Sequence, residues 1–182
     1  MDVSPIEKTA SSEQLRAATT ADLPEIAEIF AHYVQHSVAT FAFEPLTIGE
    51  WQQRLAAVIG AGLPFLVAEQ DGRVAGYTYC SPWRTLPAYR RTVEDSIYLA
   101  PGVRGRGLGG TLLDALLAGC AAAGVQEVIA VIADSGDPSS LQLHRRRGFT
   151  EAGRLRRVGY KHDRWLDTVL LQRSLVPSPQ TA

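Results

Sequence analysis

The chain has 182 residues, 46% of them hydrophobic and 20% charged, and a net charge of −1. That size and composition exclude intrinsic disorder and fit one ordinary domain with a real core, while near-neutrality leaves no electrostatic footprint for nucleic acid. No apolar run reaches a membrane span and no N-terminal stretch resembles a signal peptide, so a cytoplasmic protein with no membrane partner is expected.

Residues 1–13, rich in Ser, Glu and Thr, and residues 177–182 are expected as tails around one domain spanning 14–176. A short strand at Leu15–Ala17 comes first. A helix follows, opened by an Asp22–Glu25 box with Pro24 in its first turn and carrying a stripe of Leu23, Ile26, Ala27, Phe30 and Val34. Thr47 and Glu50 repeat the capping signal ahead of Trp51, Leu55, Val58 and Ile59. Strands at Phe65–Glu69 and Arg73–Ser81 flank an Asp71-Gly72 hairpin turn. A third strand, Thr92–Leu99, ends at Ala100-Pro101-Gly102. The helix after it repeats Leu108, Leu112, Leu113, Leu116, Leu117 and Cys120 at a 3.6 period and stops near Gly124. Glu127–Ala133 reads as a buried strand. Asp137-Pro138-Ser139 starts a short helix through Arg147, Gly148 ends it, and strands near Phe149–Arg157 and Trp165–Arg173 close the chain. This order is mixed α/β, with hairpins at both ends and one β–loop–α–β unit between, not repeated βαβ winding.

The most informative stretch is Val103–Gly110, reading V-R-G-R-G-L-G-G. Its glycines let a ligand approach the backbone. The helix N-terminus behind them offers unpaired N–H donors to a phosphate or pyrophosphate. Arg104 and Arg106 add charge-assisted hydrogen bonds; the plain alternative is a glycine turn with solvated arginines. Charge is unevenly spread: residues 1–80 hold 4 Lys/Arg against 10 Asp/Glu, and residues 81–182 hold 14 against 9. A basic C-terminal half favours a small anionic ligand. Gly105, Gly107 and Gly110 also satisfy the G-x-G-x-x-G dinucleotide fingerprint, with Asp134 near the place of its acidic partner, so a dinucleotide-dependent oxidoreductase stays open. Gly110-Thr111 lacks the lysine of a nucleotide-triphosphate loop. Cys80 and Cys120 have no metal-ligand spacing and read as buried free thiols.

Arg104-Gly105-Arg106-Gly107-Leu108-Gly109 resembles the R-G-x-G-[LIVM]-G acetyl-CoA loop of the GCN5-related N-acetyltransferases. Ser96-Ile97-Tyr98-Leu99 before it, and Asp137-Pro138-Ser139 with His144 to Phe149 after it, fall in that family's order. Pro82-Trp83-Arg84, Tyr89, Thr92 to Tyr98, and Gly159-Tyr160-Lys161-His162 with Trp165-Leu166-Asp167 are similar to the phosphinothricin and methionine sulfoximine acetyltransferases, over about Leu15 to Leu175.

The resemblance implies a mixed, mostly antiparallel sheet flanked by helices, acetyl-CoA as cosubstrate, no metal, a small amino-acid-like acceptor and a homodimer. It implies that the pyrophosphate lies on Arg104, Gly105, Arg106, Gly107, Leu108, Gly109 and Gly110. The pantetheine arm would pair with the backbone of Ile97, Tyr98 and Leu99. Asp137 stands where relatives contact pantetheine or adenosine; N-capping is its alternative role. Glu94 matches the proposed base, acting through water on the acceptor amine, with a strand-edge salt bridge as alternative. Strict alternation sets Glu94, Ser96 and Tyr98 on one face and Val93, Asp95 and Ile97 on the other, unless a bulge intervenes. His144 stands where many relatives carry the tyrosine that protonates the departing thiolate; it could act as acid or base, or complement the helix dipole. Arg84 is the candidate for the acceptor carboxylate, with Thr85, Leu86, Asp95 and Ser96 lining the same pocket. Cys80 has no partner base, so direct transfer in a ternary complex is expected. A catalytically inactive CoA-binding regulator is the remaining alternative.

Overall fold

Asp71 and Gly72 both take positive φ, 53° and 77°, and close a two-residue hairpin between β2 (Phe65–Gln70) and β3 (Arg73–Pro82). The computed structural model describes residues 13–103 and 107–176. Around that hairpin, β1 (Glu13–Ala17), β4 (Thr92–Leu99), β5 (Glu127–Ala133), β6 (Thr150–Lys161) and β7 (Arg164–Ser174) complete one sheet in the order β1-β2-β3-β4-β5-β7-β6. The expected mixed, mostly antiparallel sheet is what forms: among the described residues every ladder is antiparallel except β4 against β5. A doubly wound dinucleotide fold needs successive parallel crossovers, so the oxidoreductase reading fails on topology. Asp134, the acid that reading required, pairs instead with Arg154 at 2.5 Å.

Helices cover both faces. On one, α1 (Leu23–His36) and α2 (Ile48–Gly60) bury Leu23, Ile26, Phe30, Trp51 and Leu55 against Phe65, Tyr77 and Tyr79. On the other, α3 (Leu108–Ala122) lays Leu113, Leu116, Leu117 and Cys120 over Val93, Val128, Val169 and Leu171. This second layer includes α4 (Ser139–Arg145). The apolar stripes read from the sequence are these buried faces except at Ile59, which lies exposed near the end of α2. Removing one such fully buried leucine side chain costs about 2–5 kcal/mol.

Local departures have physical causes. The Thr47–Glu50 box forms as expected, but the Asp22–Glu25 box does not. Arg16 grips both Asp22 carboxylate oxygens at 2.7 and 2.8 Å, and Thr19 donates its N–H and hydroxyl to the same side chain. The Arg16 guanidinium holds the Asp22 pKa down at about 2. Glu25 accepts from the Val74 N–H at 3.0 Å and ties α1 to β3. Helix α4 stops at Arg145, short of the expected Arg147. Strand β6 runs past Arg157 to Lys161, its extra residues absorbed by a register shift between Leu155 and Gly159.

Candidate active site

Strands β4 and β5 pair only from Thr92 to Glu94, against Glu127 to Ile129. Beyond Glu94 the two part, while β4 stays in continuous register with β3 through Leu99. Main-chain groups of β4 from Asp95 onward therefore have no β5 ladder, the kind of open edge on which an extended ligand adds itself like a strand. Ile97, Tyr98 and Leu99 lie on this edge. The Leu99 carbonyl already accepts from the Tyr33 hydroxyl at 2.9 Å, and the Ser96 carbonyl from the Thr78 hydroxyl at 2.8 Å.

The edge leads to the start of α3. Gly107, at the N-cap, takes φ +83°, a left-handed conformation costly for any residue with a Cβ. No side chain caps this helix among the described residues. The N–H groups of Gly110 and Thr111 turn back to the Gly107 carbonyl, at 2.8 and 3.2 Å, and those of Leu108 and Gly109 are among the donors a helix start leaves open. A Cβ on Gly110 would stand 2.0 Å from Arg147 Nη2 and displace that guanidinium, whereas one on Gly109 would make ordinary contact with Leu143 and Leu99. Arg147 donates to the Gly110 carbonyl at 3.2 Å and pairs with Asp114 at 2.9 Å. This backbone cradle fits an anionic diphosphate. Arg104, Gly105 and Arg106, expected in the same role, lie outside the described residues. Asp137 accepts from the Ser139 N–H at 2.9 Å at the start of α4.

Glu94 sits half-buried where the strands part. Burial, with the neighbouring Asp95 charge, pushes its pKa up, and Arg84 partly opposes the rise. The two candidates Glu94 and Arg84 are thus within electrostatic reach of each other. Arg84 is exposed, its guanidinium 4.9 Å from the centroid of the Trp83 ring. Thr85 and Leu86 follow it on the exposed β3–β4 connection, Leu86 at 66% exposure. Directly across the ladder, Ser81 faces Glu94, Tyr79 faces Ser96 and Tyr77 faces Tyr98. No bulge interrupts β4, so the alternation read from the sequence holds.

That alternation sets Asp95 on the face opposite Glu94, with Val93 and Ile97, its side chain 1% exposed. His144 meets it there, Nε2 to Oδ2 at 3.0 Å, while Nδ1 lies 2.8 Å from the Ser140 carbonyl one turn back along α4. Both ring nitrogens are engaged and the residue is 2% exposed, so His144 has no free nitrogen for the thiolate or the amine. Burial lowers the imidazole pKa, but the Asp95 hydrogen bond and charge outweigh it and hold the pKa above its ordinary value. The sequence contained the signal: a carboxylate at an apolar alternation position requires a buried partner. Cys80 and Cys120 are buried free thiols with sulfurs 3.0 Å apart. That contact and burial push the Cys80 thiol pKa up, away from nucleophilic character. Lys161 and Thr40, joined by a 2.8 Å hydrogen bond, were not singled out from sequence as site residues.

A family model described as Acetyltransferase (GNAT) family matches residues 24–149. The chain is 47% identical over 161 residues to a phosphinothricin N-acetyltransferase of Alcaligenes faecalis, covering 88% of this chain and 82% of that protein. It is 38% identical over 168 residues to an L-methionine sulfoximine/L-methionine sulfone acetyltransferase of Pseudomonas aeruginosa, covering 92% and 97%. The crystal structure of a GNAT superfamily phosphinothricin acetyltransferase from Sinorhizobium meliloti, in complex with AcCoA, superposes with TM-score 0.85 at 44% identity, over 89% of this chain and 88% of that one. With an open β4 edge, an uncapped glycine-started helix and these relatives, the chain belongs to the GNAT family of acetyltransferases.

Proposed function

We propose that the protein moves the acetyl group of acetyl-CoA onto the α-amine of a small amino-acid-like acceptor of the phosphinothricin, methionine sulfoximine and methionine sulfone class. The observation that carries this reading is Glu94, half-buried and with raised pKa at the point where β4 leaves β5. Acetyl-CoA supplies an activated acetyl thioester. The Leu108 and Gly109 amides hold its diphosphate, and the open β4 edge aligns its extended arm.

An α-ammonium has no lone pair, so the acceptor must first lose a proton. A carboxylate near pKa ~4.3 is a weak base, and burial beside Asp95 shifts Glu94 in the useful direction. Glu94 takes the proton through an ordered water, and Arg84 receives the acceptor carboxylate with a planar two-pronged grip. One proton leaves the amine nitrogen and one ends on the CoA sulfur, with no acyl-enzyme, in keeping with the inert Cys80. An inactive CoA-binding regulator has no support from relatives named for their transferase activity.

The enzyme works as a homodimer in the cytoplasm. Leu155, Val158, Tyr160 and Trp165 expose 48, 51, 50 and 53% of their surface on the β6–β7 hairpin, a patch that favours a protein partner. Two free thiols in close contact suit a reducing compartment.

An acceptor screen with thiol detection of released CoA tests the activity. Turnover of phosphinothricin, methionine sulfoximine or methionine sulfone well above that of ordinary amino acids is expected. Stabilisation by acetyl-CoA with no acceptor turned over would overturn the catalytic reading.

A further inference from the structure

The β6–β7 hairpin is longer than the strand it leans on. Strand β5 ends at Ala133 opposite Thr168, so Gly159 to Lys161 and Arg164 to Leu166 overhang it. The overhang meets the segment between α1 and α2. Lys161 Nζ donates to the Thr40 carbonyl at 2.8 Å, and the Phe41 ring lies so close to Gly159 that a Cβ there would stand 2.2 Å from it. The Thr40 side chain also neighbours the Tyr98 phenol. Tyr98 shares the β4 face with Glu94 and Ser96. Lys161 is therefore linked through one residue to the face that carries the acceptor chemistry.

Its charge is unanswered. An ammonium has three N–H donors, and the Thr40 carbonyl is the one acceptor found for them among the described residues. Lys161 is 3% exposed and makes no ion pair among the described residues, although Asp163 is only two positions away in the hairpin turn. Burial lowers its pKa, as expected for a cation without a counter-charge. Buried charges in folded proteins are otherwise paired.

We propose that Lys161 binds the anionic end of the acceptor's side chain, and so selects acceptors with a second acid group, such as a phosphinate, over neutral ones. This rests on the acetyl-transfer reading above. Arg84 holds the α-carboxylate, Glu94 faces the amine, and Lys161 answers the far end. Phosphinothricin presents a phosphinate there, whereas methionine sulfone presents an uncharged sulfone of similar reach.

The comparison of these two acceptors is the test, with Lys161→Gln and Lys161→Arg in the full chain. Glutamine keeps a donor for the Thr40 carbonyl but drops the charge; arginine keeps the charge. Lys161→Gln is expected to lower kcat/KM for phosphinothricin by about 30-fold or more, mostly through KM, as when one partner of a buried charge pair is removed. Its kcat/KM for methionine sulfone should stay within a few-fold, and Lys161→Arg should retain the phosphinothricin preference. Equal losses on both acceptors, or no loss on either, overturn the proposal and leave Lys161 as a tether of the α1–α2 segment. Should Lys161→Gln not fold, loss of the preference in a folded Lys161→Arg overturns it and retention upholds it. Wild-type turnover of methionine sulfone alone overturns Lys161 while acetyl transfer stands; no turnover of either overturns both.

Discussion

His144 Nε2 lies 3.0 Å from Asp95 Oδ2, with side chains 2% and 1% exposed. The pair fastens α4 to the back of β4, one residue from Glu94. The other Asp95 oxygen, Oδ1, has no hydrogen-bond partner among the described residues, so the carboxylate relies on the imidazole. Removing one member of a buried pair strands the other, and Asp95→Asn is expected to destabilise the fold by about 3 kcal/mol. The pH dependence has a definite sign. His144 has a folded-state pKa above its ordinary value, so the contribution is fully present below about pH 6.5, the unfolded histidine value. It is lost as pH rises through the raised folded-state pKa. Urea unfolding of wild type and Asp95→Asn across that range should show the two converging at alkaline pH. A gap that widens with pH would show that the pair does not carry this charge.

Glu94→Gln separates base from brace. A general base is worth about 100-fold or more in turnover, and its contribution fades once solvent hydroxide deprotonates the acceptor amine. The kcat deficit of Glu94→Gln should be largest near neutrality and shrink toward alkaline pH. A deficit constant over the whole profile would give Glu94 a structural role at the strand edge instead.

Much of this site is legible in the sequence. The glycine loop, the strand before it and the alternation placing Glu94 opposite Asp95 are local properties of the chain. What local pattern did not carry was partnership across long sequence separations. The resemblance sets Asp95 among the residues lining the acceptor pocket, while its alternation class, with Val93 and Ile97, is the apolar one. A proton-transfer role for His144 rests on its place in the family's order and on titration near neutrality; its two partners depend on how α4 docks on β4. Asp22 failed as a helix cap for the same reason, since Arg16 on β1 claims its carboxylate. Lys161 went unassigned because the register shift between Leu155 and Gly159 sets where the hairpin tip arrives.

Gly107 offers a test of the cofactor cradle alone. Its φ of +83° costs a residue with a Cβ about 1–2 kcal/mol. Gly107→Ala should relax that turn and misdirect the Leu108 and Gly109 amides. Steady-state kinetics should then show a raised acetyl-CoA KM with the acceptor KM little changed, since Gly107 is remote from the Arg84 segment in sequence and element. A rise confined to the acceptor KM would remove this helix start from the cofactor site.

The β6–β7 hairpin carries the final prediction. Tyr160 and Trp165 are ladder partners with ring centroids 5.2 Å apart, yet each leaves about half its surface in solvent. Aromatic rings left uncovered on a hairpin are costly to hold in water, and a second copy of the chain is the simplest cover. Light scattering at micromolar concentration should give twice the 19.7 kDa chain mass. Trp165→Glu buries a charge in that interface and should return the monomer with its far-ultraviolet circular dichroism intact. The same substitution also tests whether the dimer matters for catalysis, because the overhanging tip that it shares with Lys161 also contacts Thr40 and Phe41. A dimer that supports the tip should lose acceptor affinity on dissociation while acetyl-CoA affinity persists. A wild-type protein that scatters as a monomer would leave the exposed aromatic pair without this explanation and the acceptor wall a single-chain structure.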